Sequence, residues 1–483
     1  MKLKLDQLLQ GVALTNCAVA RDVQITSVSY DTRTLQPGAL FVALPGYKTD
    51  GHRYIPQALE KGAAAVLCQQ PPEGEGPWLV CPDTRAALAR VGANWFGRPA
   101  DQMKLLAVTG TNGKTTTTYL LKEVLERSIG AKVGLIGTNR NMIGPDSFPA
   151  QRTTPESYDL QQLLRQMADA GCTHVVMEVS SHALVLHRVD TLTFAAGIFT
   201  NLTPDHLDFH KTMEGYRDAK GRLFDQTELA VLNLDDQAGR YFAQTVACPK
   251  RTYSENKDAA DLTAKNIRLF PDRVEFEAVT WSDIRRVRLP IPGGFSIYNA
   301  LGVLTCAVAL GIPLHDAAAA LEHVHGVKGR VEVVPTSAPY TVIIDYAHTP
   351  DALENILTTV RALAKNRLVC LFGCGGDRDR SKRAVMGAIA ADLADVVIVT
   401  SDNPRTEEPQ AILRDIVKGM EGTATPYTVE PDRRAAIRYA LAQGQPGDVI
   451  LLAGKGHETY QEINGKKIHL DEREEIQDFF RGT

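Results

Sequence analysis

Residues 105–125 read LLAVTGTNGKTTTTYLLKEVL, and this stretch decides the fold. It opens on a short apolar run, 105–109, with the length and composition of a buried strand. The run breaks into GTNGKTT at 110–116 and then into a segment whose Leu120, Leu121, Val124 and Leu125 share one helical face, ended by Gly130. Strand, glycine loop and helix in that order make a phosphate-binding unit. The glycines let backbone N–H groups approach phosphate oxygens, Lys114 supplies a cation, and the Thr115 hydroxyl can ligate Mg²⁺. The positive end of the helix adds to this. The common form of the loop has four residues between its first glycine and the Gly-Lys pair. Here only Thr111 and Asn112 intervene, so the loop is a compact variant. The candidate ATP contacts are Gly110, Thr111, Asn112, Gly113, Lys114, Thr115 and Thr116.

Around this unit, short apolar runs alternate with helix-length amphipathic segments, the pattern of α/β domains with largely parallel sheets. At 483 residues, and about 100 to 200 residues per domain, the length suggests roughly three domains. The first, 1–100, has strand candidates at 23–29, 39–44 and 64–68 and ends in Gly97-Arg98-Pro99, a break suited to a linker. The second, 101–330, adds strands at 132–136, 174–179, 195–200 and 229–234 and ends in the glycine-rich 326–330 segment. The third, 331–483, has strands at 341–345, 368–372, 396–400 and 449–452. Each runs into a polar segment: DYAHTPDAL, GCGGDRDRSKR, SDNPRTEEP and AGKGHETYQ. Ligands of open α/β sheets bind beyond the carboxyl ends of the strands, so these four segments are expected to converge on one site.

The remaining bulk features narrow the class. A formal net charge of −4 offers no global attraction to nucleic acid or an anionic membrane. The eight cysteines (17, 68, 81, 172, 248, 306, 370 and 374) form no CxxC pair or zinc spacing, as expected of reduced thiols. No apolar stretch approaches the roughly 18 residues of a membrane span, and the N-terminus lacks a signal-peptide core. A cytoplasmic monomer acting on small molecules, with no nucleic acid and no membrane insertion, is the expectation.

Two strand-end residues belong with the phosphate loop. Glu178, in MEVSSHAL, and His206, in NLTPDHLDFH, are groups able to hold a divalent cation beside phosphates. Each has an ordinary alternative, Glu178 as a helix cap and His206 as a hydrogen-bonding loop residue. Their shared place at strand ends next to GTNGKTT favours the metal.

The ordered set GTNGKTT, MEVSSHAL with HRV, NLTPDHLDFH, YRDAKGRLF, VKGRVE, DYAHTPDAL, GCGGDRDRSKR, SDNPR and GKGHE closely resembles the Mur ligases. SYDTRTLQPGALFVALPG and DGHRYIPQAL extend the resemblance to the start of the chain. It implies a UDP-sugar-binding N-terminal domain, a central P-loop ATPase-like domain and a Rossmann-like C-terminal domain that binds an amino acid. It also implies ATP-driven amide formation through an acyl phosphate, with Mg²⁺. Lys220, in YRDAKGRLF, matches the family's carbamylated lysine, which takes up CO₂ and joins Thr115, Glu178 and His206 at the metal. Asn299 and Arg330 become further ATP contacts. Thr153, Thr154, Ser180 and Arg188 are implied contacts to the anionic sugar-peptide, and Tyr30, Thr32, Tyr47, Lys48 and Thr49 to the uridine side.

For the amino acid, Asp402, Asn403, Pro404 and Arg405 match the DNPR signature of the diaminopimelate-adding members. Arg378, Gly454 and Glu458 complete the implied site. Arg405 would pair with the distal carboxylate, which lysine lacks, and Asp402 and Glu458 would take the distal amino group. The chain departs from the family pattern at Leu186 (glutamine in many relatives), Thr32 (serine) and Ser296 (asparagine). The competing readings are the same ligation with L-lysine and a nucleotide-dependent switch that joins nothing.

Overall fold

The computed structural model describes residues 2–46, 49–270, 272–324 and 326–481. Among them, three larger sheets follow one another along the chain. The first has five strands in the order Asn16–Cys17, Trp78–Val80, Ala65–Cys68, Ala39–Val42 and Ser27–Ser29, parallel except for the first pair. Helices Ile55–Glu60 and Thr84–Trp95 cover it, the latter started by Asp83, whose carboxylate accepts from the N–H groups of Arg85 and Ala86.

The second sheet has eleven strands. Its parallel centre runs Val133–Ile136, His174–Glu178, Lys104–Thr109, Ala196–Phe199, Ala230–Asn233 and Lys250–Ser254. All but Lys250–Ser254, which is partly exposed, are buried on both faces and therefore appear in the sequence as apolar runs. One flank adds the antiparallel hairpin Arg140–Ile143 and Asp146–Pro149; on the other, Leu262–Leu269 joins Lys250–Ser254 in parallel and Val274–Thr280 and Ile284–Leu289 follow antiparallel. The helix after the phosphate loop, Lys114–Ile129, starts at Gly113 (φ 84°) and stops at Gly130 (φ 63°), both left-handed positions that suit glycine. It packs beside Gly294–Ala309, a helix apolar on nearly every side, and both lie against strands of this sheet.

The third sheet has the order Glu332–Val334, Thr341–Asp345, Val449–Ala453, Leu368–Phe372, Val396–Thr400 and Tyr427–Glu430, parallel except for the first pair. The reversal of strand order beside Thr341–Asp345 and Val449–Ala453 opens the crevice expected of a doubly wound sheet.

The units touch through particular residues. Arg85 donates to Glu156 at 3.2 Å and Tyr30 to Asp159 at 2.6 Å between the first and second sheets. Between the second and third, Asn139 donates to the Lys328 carbonyl at 2.7 Å and Asn112 to Asp351 at 2.6 Å. Among the described residues no helix is long and apolar enough to cross a membrane.

Candidate active site

The phosphate loop leaves Lys104–Thr109 at the middle of the large sheet and is held open from below. Gly110 (φ 146°) lies so close to the 200–201 backbone turn that a Cβ there would meet the Thr200 hydroxyl at 1.9 Å. Asn112 N–H donates to the Asn201 side chain, and the Thr200 hydroxyl donates to the Asn112 carbonyl at 2.7 Å. Thr111 reaches the Thr203 carbonyl at 3.2 Å.

Lys114 folds back to donate to the carbonyls of Gly110 (2.9 Å) and Thr111 (2.8 Å). Its amine is held below the ordinary lysine value, by burial first and by Arg330, against the opposing pull of Glu178 and Asp205. Lys220 approaches from helix Met213–Gly221 and donates to the same Gly110 carbonyl at 2.8 Å, with its ammonium 4.3 Å from the centre of the Tyr216 ring. It is 1% exposed, and burial, with Lys114 next, pushes its amine well below the usual range. Among the described residues neither lysine makes an ion pair with a carboxylate. The site gathers two buried amines on one carbonyl, with Glu178 and Asp205 acting on Lys114 through space and not by direct pairing.

Glu178 ends its strand fully buried, but it caps no helix. Its carboxylate accepts from the Thr138 N–H at 2.8 Å and the Thr138 hydroxyl at 2.9 Å, so it faces the loop. Thr138 was not singled out in the sequence, although its position just past the 133–136 strand, like those of Glu178 and Thr200, was the available signal. His206 sits in a left-handed turn (φ 55°) with Asp205 at 3.4 Å and its ring against His182 at 4.9 Å. Among the described residues no three His, Cys, Asp or Glu side chains gather as a metal cage. Thr115 offers its hydroxyl at the start of the helix and receives Arg330 at 3.2 Å.

Beside the loop lies a cavity of 370 Å³ between the second and third sheets. Gly113 and Thr116 form one wall, Asp235, Tyr298 and Asn299 another, and Arg330 with Asp351 the third. A Cβ on Gly113 would meet the Asn299 side chain at 2.4 Å, so this glycine lets the loop and the cavity wall come together. Asp351, whose carboxyl burial raises, takes hydrogen bonds from both Asn112 and Thr203.

A second cavity, 620 Å³, opens between the first sheet and the 140–149 hairpin, with Tyr30, Arg152 and Asp159 in its lining. Thr32 is absent from that lining: it is 6% exposed and its hydroxyl is spent on Gln57 at 2.7 Å. The expected uridine contact at Thr32 therefore needs a rearrangement. Thr49 is exposed, and Tyr47 and Lys48 lie outside the described residues. The implied sugar-peptide residues gather close to Glu178. Thr153 bonds Thr138 at 3.0 Å, Thr154 donates to the Glu178 carbonyl at 2.8 Å and lies 3.5 Å from Ser180, and Arg188 donates to the Thr154 carbonyl at 3.1 Å.

In the third unit the four strand-end segments do converge. Asn403 joins two of them: its amide N donates to Glu458 at 2.8 Å and its side-chain carbonyl O accepts from Lys455 at 3.1 Å. Lys455 also donates to Glu458 at 2.8 Å. Gly454 (φ 111°) lies so close to Asp402 that a Cβ would meet its carboxylate at 2.8 Å. Pro404 is buried beside them. Burial works against ionised Asp402, but Lys455 and Arg433 hold its carboxyl below the usual range. Arg405 is not free: it donates to the Gly376 carbonyl at 2.7 Å and lies 3.4 Å from Glu462. Arg378, exposed, reaches only the neighbouring Asp377 carbonyl at 3.1 Å.

Three family models match in order: "Mur ligase family, catalytic domain" over 24–93, "Mur ligase middle domain" over 108–307 and "Mur ligase, glutamate ligase domain" over 329–456. The chain is 45% identical over 476 residues to the UDP-N-acetylmuramoyl-L-alanyl-D-glutamate–2,6-diaminopimelate ligase of Alkaliphilus metalliredigens, covering 97% of this chain and 96% of the relative. The chain belongs to the Mur ligase family. The ligase of the same name from Clostridioides difficile is 43% identical, with 98% of each chain covered. A solved structure of a UDP-N-acetylmuramoyl-L-alanyl-D-glutamate–2,6-diaminopimelate ligase superposes with a TM-score of 0.70 at 32% identity, covering 100% of this chain and 99% of that one. MurF of Acinetobacter baumannii, at 20% identity and a TM-score of 0.69, shares the three-unit α/β fold over 100% of this chain and 99% of its own.

Proposed function

We propose that this Mur ligase joins meso-2,6-diaminopimelate to the D-glutamate γ-carboxylate of UDP-N-acetylmuramoyl-L-alanyl-D-glutamate, consuming ATP and forming ADP. The observation that carries the chemistry is the pair of buried, carboxylate-free lysines on the Gly110 carbonyl. A carboxylate is a poor acyl donor because oxide leaves badly, whereas phosphate leaves readily. Making an acyl phosphate means bringing two anions together; Lys114 supplies positive charge in a shielded site to offset that repulsion where charge develops, while the buried amine of Lys220 stands ready for carbamylation. The γ-carboxylate would enter from the side of Thr153, Thr154, Ser180 and Arg188. The triphosphate would lie along 110–116, with its base in the cavity beside Asn299 and Arg330. The attacking amine would come from the 402–405 and 454–458 side.

Mg²⁺ fits the donor set: hard oxygen ligands at Glu178 and Thr115, His206 nearby, and too few protein groups to cage the ion without substrate phosphates. When bound, it neutralises phosphate charge. The depressed amine of Lys220 supports carbamylation, since only a neutral amine adds CO₂. The carbamate would give the site a second anionic oxygen donor beside Glu178. We assign 1–100 to the UDP-sugar end, 101–330 to ATP and 331–483 to the amino acid, in a cytoplasmic monomer.

The test is phosphate release and product mass with ATP, Mg²⁺ and the UDP-sugar dipeptide, given either meso-diaminopimelate or L-lysine. Release and a new amide product with meso-diaminopimelate alone are expected. Phosphate release without acceptor or amino acid would overturn ligation, and equal use of lysine would overturn the selectivity.

A further inference from the structure

Two residues outside every motif lie directly beneath the third unit's convergence point. Arg433 opens helix Arg433–Ala442 and Glu472 opens helix Glu472–Arg481. Their side chains are 0% exposed and 2.7 Å apart, with a second contact from Arg433 Nε at 2.9 Å. The rest of the guanidinium goes to two backbone carbonyls, Ser401 at 3.2 Å and Ala453 at 2.9 Å. Those carbonyls immediately precede Asp402 and Gly454. They end strands that are not neighbours, since Leu368–Phe372 runs between them. One planar fork thus spans three strands and ties together the two segments that must face each other across the amino acid.

Burying such a pair is a poor way to gain stability, because desolvation of both charges offsets most of their attraction and an apolar pair would serve as well. Its placement explains it better. Signs alternate from Glu472 through Arg433, Asp402 and Lys455 to Glu458. Both carboxylates facing the pocket therefore have a cation behind them.

We propose that the Arg433–Glu472 pair is a positioning device for the amino-acid pocket, setting the spacing of 402–405 and 454–458 without touching the ligand. The proposal rests on the reading of that pocket given above. It predicts a selective kinetic signature. In the full chain, Arg433→Lys, Glu472→Gln and the charge-free double variant Arg433→Met with Glu472→Leu should each raise KM for meso-diaminopimelate about tenfold or more. Their kcat, and KM for ATP and the UDP-dipeptide, should stay within about twofold. Melting temperatures identify the variants that keep the native fold, and the double variant leaves no orphaned buried charge. If the folded variants keep KM for the amino acid within about twofold of wild type, or if all three substrates weaken together, the proposal is overturned. It is equally overturned if no variant folds, since the pair would then serve stability alone. Should the wild type use a different amino acid, the functional reading falls, and the pair is judged on KM for that amino acid.

Discussion

The two ends of this molecule handle charge in opposite ways. At the phosphate loop, Lys114 and Lys220 lean on backbone carbonyls with no carboxylate in ion-pair contact. At the amino-acid end, Lys455 is paired with Glu458, Arg433 with Glu472, and Arg383 with Glu407 and Asp415. On the proposed function, the first site leaves its loop lysine without an ion-pair partner, for a polyanion to supply. In the second, each of these cations already has a carboxylate partner, so on the proposed function a zwitterion enters by exchange, taking over partners that the protein now uses. Affinity at the first should come from net charge and at the second from geometry.

This contrast can be broken by mutation. The largest effect is expected at Lys114: Lys114→Met should lower kcat by about a thousandfold, measured as phosphate release. A loss under about tenfold would show that the unpaired loop lysine is not what drives the reaction. Next, Lys220→Ala should lower activity about a hundredfold, with partial recovery in added short carboxylic acids, and unchanged turnover would reject the carbamate. At the amino-acid end, Arg405→Ala should cost about a hundredfold in kcat/KM for meso-diaminopimelate and leave L-lysine nearly unaffected. Arg405 is 21% exposed and shares its charge with Glu462, so the loss falls short of that for a fully buried pair.

The smallest effect is on stability and involves both ends. Burial holds neutral His210 down at about 4 and His457 at about 3, against 6.5 for an ordinary histidine. Below 6.5 the unfolded chain takes up protons that the folded chain refuses until about 4. Stability should therefore fall as pH drops through that window. Urea midpoints at neutral and mildly acid pH check this, and a midpoint that rises on acidification contradicts it.

Legibility from sequence followed burial. The strands Thr341–Asp345, Leu368–Phe372 and Val396–Thr400 coincide with the runs expected from sequence, because parallel strands covered on both faces must be apolar throughout. The antiparallel flank 262–289 gave no such run. Lys265, Glu277, Arg285, Arg286 and Arg288 interrupt it, because one face of those strands meets solvent. The site divides similarly. Residues at or just past strand ends, such as Glu178 and Asp402, stood out because polar groups there follow apolar runs. Thr138 was equally placed and was passed over. Arg433 and Glu472 had no local signal, since a charge opening a helix usually faces water. Only the packing of two distant helices buries them. The bond from Thr32 to Gln57 was not legible, because residue type alone does not say which way a hydroxyl points.

Asn112 belongs to the loop proposed to receive ATP, yet its amide is held by Asp351 of the third unit. A nucleotide that reorganises this loop must renegotiate that bond, and a third unit that shifts its Asp351 must alter the loop. By reciprocity, whatever free energy nucleotide binding contributes to moving the third unit, movement of that unit returns to nucleotide binding. On the proposed assignment of these two sites, fuel intake and the approach of the incoming amine would thus be two readings of one equilibrium.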